Sequence, residues 1–292
     1  MSITAISILC GISGMFGWGL YDFLGGIFAK QIGPYKSFFW SQLAGLASIL
    51  LLGFLTAPSV NVPSGVILWF PVAALLYSAG YLFFFKGFEV GNMSIIAATM
   101  NLWAVFTMLF AFTFMGQRLS VIQTIGVLMI LAGVTLASLN WSEIQQRQFQ
   151  LSAGVKEAIA GAFFFGIYWN VSEIIVEEVG WLVSTALIKF GIVLFMFHFS
   201  ILTKHGMGLA RTATKTMSAI LLMGMIEAGA VAIVNYGLTI GDAILITPIA
   251  SALSIVTILF AIIFLKDKIT KLQGLGIATA VIGIVVTGLQ AT

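Results

Sequence analysis

Charge is what this sequence has least of. Asp, Glu, Lys and Arg make up 8% of the 292 residues while 60% are hydrophobic, and the mean hydropathy is +1.12. A water-soluble domain carries roughly 25% charged residues, so water could not solvate this surface and the solvent is mostly lipid. Cysteine is as sparse: Cys10 is single, can form no internal disulfide, and has no metal-ligand spacing around it. The two histidines, His198 and His205, share no helical face with further ligands, which gives a metal ion nothing to hold. The net charge of +3 comes from basic residues at the ends of apolar stretches rather than from a basic domain, which excludes nucleic acid as a partner. No constellation of nucleophile, base and metal ligands is visible, so neither enzyme chemistry nor a cofactor is expected. Long polar segments are missing too. The longest, Asn140 to Gln150 (NWSEIQQRQFQ), leaves no room for a nucleotide-hydrolysing or sensory domain. Any transport must run on a gradient or by exchange.

What is present is one apolar run after another. A bilayer core needs about 20 apolar residues per helix. That ruler predicts ten spans, at 3–28, 36–55, 66–88, 93–114, 121–139, 153–176, 182–203, 216–239, 243–265 and 271–290. The first runs past the length of a signal-peptide core and lacks a basic leader, so it reads as a span. Turn or charge signals separate them, among them Ile32-Gly33-Pro34, Thr56-Ala57-Pro58, Gly91-Asn92, Gly116-Gln117-Arg118, Gly241-Asp242 and Lys266-Asp267-Lys268. Span 66–88 carries Pro71 inside it and Lys86 near its end.

The sequence repeats itself at an offset of 150 residues, without gaps. Gly91 meets Gly241, Thr107 meets Thr257, Phe110-Ala111 meets Phe260-Ala261 and Phe114 meets Phe264. Gln123, Gly126 and Gly133 meet Gln273, Gly276 and Gly283, and Gly11 meets Gly161. Polar and glycine matches at one fixed offset exceed what two unrelated apolar helices share. The expected organisation is a first five-span unit at 1–140, a linker at 141–152 and a second unit at 153–292. An odd number of spans per unit forces the second to insert upside down. The fold class expected is therefore all-α integral membrane, ten transmembrane helices as two inverted five-helix repeats.

Charge orients this arrangement. The loops after odd-numbered spans hold Lys30, Lys36, Lys86, Arg147, Lys156, Lys204, Arg211, Lys215, Lys266, Lys268 and Lys271. The loops after even-numbered spans hold essentially Arg118, with Glu177-Glu178 near one of them. By the positive-inside rule the odd loops are cytoplasmic and both termini of a multi-pass cell-membrane protein are extracytoplasmic.

The stretch from Tyr81 to Leu139, YLFFFKGFEVGNMSIIAATMNLWAVFTMLFAFTFMGQRLSVIQTIGVLMILAGVTLASL, resembles the drug/metabolite transporter superfamily, specifically its EamA-type ten-helix members. Those close each half with an aromatic-rich third helix, a small-residue fourth, a Gly-Glu-Arg-like turn and a fifth helix patterned Q–G–G. Gln123, Gly126 and Gly133 fit the first copy, and Gln273, Gly276 and Gly283 the second. The turns Gly116-Gln117-Arg118 and Lys266-Asp267-Lys268 replace the usual glutamate by glutamine and by aspartate. The proline usual in mid-fourth helix is missing, although Pro248 lies earlier in the ninth span. The resemblance implies this fold and a transporter. Known relatives export amino acids, drugs and other metabolites, take up sugars, or exchange nucleotide sugars and phosphorylated sugars.

Ionisable groups at membrane depth are costly and default to functional candidates. Asp22, Glu173, Glu227 and Lys189 are such groups, with His198 deeper in the helix of Lys189. Trp18, Tyr21, Asp22 and Gly25 form one polar-aromatic face of span 1, and Tyr168, Trp169, Asn170 and Glu173 repeat the pattern in span 6. Asp22 and Glu173 come late in their spans, where they could equally reach opposite interfaces. Glu227 is too deep for that, and suits a proton-coupling role or a cationic amine. Lys189 could pair with a carboxylate or reach an interface. Tyr77 and Tyr81 in span 3, Asn101 and Trp103 in span 4, Asn235 and Tyr236 in span 8 and Ser251 and Ser254 in span 9 are the other polar groups at depth; Asn101 and Ser251 are equivalents at the 150 offset. The glycines of spans 5 and 10 read as close-packing positions outside any pathway.

With no arginine at mid-span, phosphate-bearing substrates are disfavoured. The function expected is a secondary active transporter working by alternating access, exporting amino acids or related small metabolites, with protons a candidate coupling ion. Its partners would be the small-molecule substrate and membrane lipid. The alternative is uptake of a neutral sugar or polyol; from another class, a non-transporting membrane scaffold or channel. The candidate substrate-binding or coupling residues are Trp18, Tyr21, Asp22, Tyr77, Tyr81, Asn101, Trp103, Tyr168, Trp169, Asn170, Glu173, Glu227 and Ser251.

Overall fold

In hydrocarbon no water is available to an unpaired amide, so each apolar stretch must bond its backbone internally as a helix. The computed structural model describes residues 3–58, 60–114, 120–138, 151–204, 206–208, 214–240, 246 and 249–288, and the regular elements among them are helical. The linker stretch Asn140 to Gln150, the turns Gly116-Gln117-Arg118 and Gly241-Asp242, Pro248 and His205 lie outside the described residues.

Helix α1 (Ile3–Ile32) stops at Gly33, whose φ of +88° glycine alone adopts freely, and Pro34 opens α2 (Pro34–Thr56). After a 3₁₀ turn at Ser64–Val66 comes α3 (Trp69–Val90), with Pro71 in its first turn, where the missing N–H has no intrahelical partner to lose. Asn92 caps α4 (Met93–Met100) by accepting the Ile95 N–H at 3.1 Å. The helix breaks at Asn101 and resumes as α5 (Leu102–Phe114). Then follow α6 (Val121–Ser138), α7 (Val155–Val179), α8 (Trp181–Thr203), α9 (Thr214–Ile240), α10 (Ser254–Phe260, running on as a π-turn Ala261–Leu265) and α11 (Lys271–Gly288). Among the described residues, seven segments are long and apolar enough to cross a membrane. Three shorter apolar helices, Val121–Ala137, Ile249–Leu265 and Lys271–Val286, stand where the remaining spans are expected. Ten crossings are consistent with this, with the fourth built from α4 and α5.

The packing interleaves the two parts of the chain. Helix α1 lies against α9 and α3 against α7; α2 touches both α8 and α9; α5 packs on α7 and α1 on α10; α6 and α11 form a pair. In that last pair, a Cβ on Gly133 would fall 2.6 Å from the Gly276 carbonyl oxygen, and one on Gly283 would fall 2.9 Å from that of Gly126. These two crossings are the same contact shifted by 150 residues, and the close approach needs glycine at 133, 276 and 283, where a Cβ would meet the partner helix's backbone. Large apolar side chains such as Phe54, Leu55, Leu202 and Phe264 cover the outer surface. The buried interior is aromatic, with Tyr21, Phe38, Tyr77, Tyr81, Phe84, Phe85, Phe165 and Tyr168 in one cluster.

The glutamines of the repeat have a physical role. Ser120 Oγ accepts the Gln123 N–H at 3.1 Å while Gln123 Oε1 accepts the Ser120 N–H at 2.9 Å, a capping box at the start of α6. Thr270 and Gln273 do the same before α11, at 3.2 and 3.0 Å. Gln273→Ala removes one arm of the box and is expected to lower stability by about 1 kcal/mol, read as a small drop in the melting midpoint of detergent-purified protein. An unchanged midpoint would show that the box does not hold α11.

Three contacts gather loop ends at one end of the bundle. Lys30 Nζ donates to the Gly91 carbonyl at 3.4 Å, Asn92 Nδ2 to that of Lys268 at 3.4 Å, and Trp40 Nε1 to that of Met207 at 3.2 Å. The ends of α1, α3, α8 and α10, with Lys30, Lys86, Lys204 and Lys266, therefore share that end.

Candidate functional site

Where α1, α2, α3, α8 and α9 converge, the interior turns polar. Lys189 on α8 and Glu227 on α9 form an ion pair, Nζ to Oε2 at 2.5 Å, with side chains 4% and 3% exposed. The ammonium also donates to Gln42 Oε1 on α2 at 2.9 Å. The amide of Gln42 donates from Nε2 to the Tyr21 hydroxyl on α1 at 2.9 Å, and that hydroxyl lies 3.2 Å from Ser41 Oγ. On the acidic side, the Tyr77 hydroxyl on α3 donates to Glu227 Oε1 at 3.0 Å. Five helices thus meet in one hydrogen-bonded chain, and the ion pair within it is sealed from water.

Small residues make room for it. A Cβ on Gly45 would lie 3.2 Å from Lys189 Nζ and 3.3 Å from Glu227 Oε2, so the charged tips rest on the bare backbone of α2. Gly224, one turn before Glu227, faces the Ser41 carbonyl so closely that any Cβ would overlap it. An unpaired charge at this depth would cost several kcal/mol, which the pairing and its two neutral partners offset. Aromatic rings wall the cluster: Tyr77 lies 4.9 Å from Tyr81 and 5.0 Å from Tyr168, and Tyr21 lies 5.3 Å from Tyr81, centroid to centroid.

The residues singled out in the sequence fall in three places. Tyr21, Tyr77 and Glu227 lie in the polar chain, and Tyr81 and Tyr168 in its aromatic wall. Asp22 is buried beside it, within electrostatic reach of Tyr81 and Glu227, and its Oδ1 has no hydrogen-bond partner among the described residues. A second group is buried elsewhere. Asn101 sits at the α4–α5 break with its Nδ2 unpartnered among the described residues. Asn170 ties α7 to α5, its Nδ2 donating to the Gly166 carbonyl at 2.8 Å and to that of Thr107 at 3.2 Å. A third group stands apart. Glu173 and Trp169 are exposed on α7, where Trp169 meets the half-buried Trp103 at 5.8 Å. Trp18 packs on a separate apolar cluster of Cys10, Val234, Ile246 and Ala250, and Ser251 is half-buried just before α10. His198, on the outer side of α8, is exposed and turns back to the Leu194 carbonyl at 2.8 Å.

Three participants stand outside the candidate set read from the sequence. Gln42 and Ser41 lie inside a long apolar run, and Lys189 is there an ionisable group at depth without an assigned partner. The signal was on α2: Ser37, Ser41, Gln42 and Gly45 recur at helical spacing, and all four are buried.

The model of a family described as "EamA-like transporter family" matches the chain twice, over residues 5–139 and 152–289. A curated relative, the "Uncharacterized transporter YyaM" of Bacillus subtilis (strain 168), is 30% identical over 127 residues, 41% of this chain and 41% of that protein. The chain thus spans about two fifths of that relative's length in the match. A solved structure described only as "Crystal structure of protein" is similar in fold, with a TM-score of 0.65 at 18% identity, covering 98% of this chain and 97% of that one.

Proposed function

Because the chain belongs to the EamA-like transporter family, and so is a multi-pass membrane transporter rather than an enzyme, we propose that it is a secondary active transporter that exports amino acids or related small metabolites by alternating access. The observation that carries this reading is the sealed chain Tyr21–Gln42–Lys189–Glu227–Tyr77, which takes side chains from both parts of the sequence. Charged groups this deep would be a liability in a scaffold, and their closure against water suits a carrier caught between openings rather than an open channel.

The two halves work as inverted repeats in this proposal. The twofold family match, the reciprocal contacts α1–α9 and α3–α7, and the paired glycine crossings of α6 and α11 support that relation. So does the Tyr77–Glu227 hydrogen bond, which joins positions 150 residues apart. Equivalent positions touch only on the axis that relates their units, so this bond supports a centre there about which the halves would rock. The lysines gathered at one end of the bundle support a cytoplasmic placing of that end in the cell membrane and extracytoplasmic termini. Protons are the proposed coupling ion, with Asp22 and Glu227 the buried carboxylates that could carry them.

Counterflow in proteoliposomes tests this. Vesicles preloaded with an unlabelled amino-acid mixture should accumulate labelled amino acids saturably, and an imposed pH gradient should drive accumulation further. Hexose counterflow without amino-acid counterflow would reject the substrate class. Non-saturable flux would reject the carrier mechanism, and indifference to pH gradients would reject the coupling.

A further inference from the structure

Lys189 and Glu227 belong to α8 and α9, which are not extensively packed on each other; α2 lies against both. The two long side chains therefore meet tip to tip over the α2 backbone at Gly45 rather than stapling two touching helices. Each charge also keeps a neutral partner of its own. The ammonium has Gln42 Oε1 at 2.9 Å, and the carboxylate has the Tyr77 hydroxyl at 3.0 Å. The pair can part without stripping either group of all its hydrogen bonds.

We infer that the Lys189–Glu227 pair stands in for a zwitterion in the empty carrier: on binding it opens, Lys189 takes the substrate's carboxylate and Glu227 its ammonium. This rests on reading the cluster as the substrate site. An α-amino acid brings one charge of each sign, so one internal pair becomes two intermolecular pairs and the site's net charge is unchanged. A cation alone would leave Lys189 facing it unmatched, and an anion alone would leave Glu227 so. A neutral sugar would part the pair and return no charge to either side. The exchange makes net-neutral, doubly charged molecules the selected class, with Tyr21, Tyr77, Tyr81, Phe165 and Tyr168 left to contact the side chain. Asp22 is the rival: facing Tyr81 and Glu227 with an unpartnered oxygen, it would favour plain cations.

The test is ligand-induced thermal stabilisation of the purified full chain. Alanine, leucine, phenylalanine and glutamine are each offered as the free amino acid, the methyl ester (a cation) and the N-acetyl derivative (an anion). Wild type should respond to free amino acids and bind both derivatives roughly a hundredfold more weakly, as sites do when a buried polar group is left unmatched. The exchanged variant K189E/E227K should keep the preference, because it still offers one charge of each sign. The neutral variant K189M/E227Q should lose it while staying folded. Esters binding wild type as tightly as free amino acids would overturn the inference in favour of Asp22. Unaltered amino-acid binding by K189M/E227Q would overturn it while leaving the transport reading intact. A wild type that responds to hexoses, or to none of the free amino acids, would sink both.

Discussion

Lys189→Met alone is expected to destabilise the protein by about 3–5 kcal/mol, because it strands a carboxylate in the interior. Glu227 keeps the Tyr77 hydroxyl at 3.0 Å, but its other oxygen is left against the bare backbone at Gly45. The double variant K189M/E227Q removes both charges and leaves groups of similar volume, an exchange that is often neutral or even stabilising. The signature is therefore non-additive: the single variant melts well below wild type and the double melts near it. Thermal unfolding of the purified variants, followed by tryptophan fluorescence, measures both. A single variant as stable as wild type would mean that the interior reorganises to hydrate or release Glu227. Transport separates from stability here, since the double variant should fold and still lose amino-acid counterflow.

Gly224→Val should do comparable damage by a different route. A Cβ at 224 would overlap the Ser41 carbonyl, so α2 and α9 must separate to admit it. Overpacking costs typically 1–3 kcal/mol even where flexible side chains yield; here the obstacle is backbone, and the cost should lie at or above the top of that range. The displaced segment carries Ser41 and Gln42, so the same movement pulls Gln42 from Lys189. Gly229, five residues further along α9, has nothing within 4 Å of its Cβ position. Gly229→Ala is the control, expected to be neutral or slightly stabilising through the better helix propensity of alanine. Equal melting midpoints for the two variants would show that the α2–α9 approach is not as close as described.

The fold was legible in the sequence because lipid leaves a chain few options. Apolar length gave the spans, and even Pro71 was harmless, falling in the first turn of α3 where proline is tolerated. The break at Asn101 was not foreseen; no glycine or proline marks it in the sequence. The site was legible only in part. Depth alone singled out Glu227, and helical spacing placed Tyr21 and Asp22 on one buried face. The same spacing misled on α7. Trp169 is rotated about 100° from Tyr168 and Glu173 about 140°, enough to carry both outward while Tyr168 stays inside. Gln42 was hidden by its context, since an uncharged polar residue inside an apolar run gives no periodic signal strong enough to name its partner. A lysine shows its depth in sequence but not which carboxylate it will find, and that needs the packing of α2 between α8 and α9.

The bond between Tyr77 and Glu227 carries a last consequence. Under the proposed twofold relation, tyrosine at both positions would put the same phenol on either side of the centre, and a bound molecule could adopt two equivalent poses. With a phenol on one side and an acid on the other, head and tail are no longer interchangeable. In the proposed carrier, that one difference between matched positions would give the interior a polarity, so that a bound molecule would be held in one orientation.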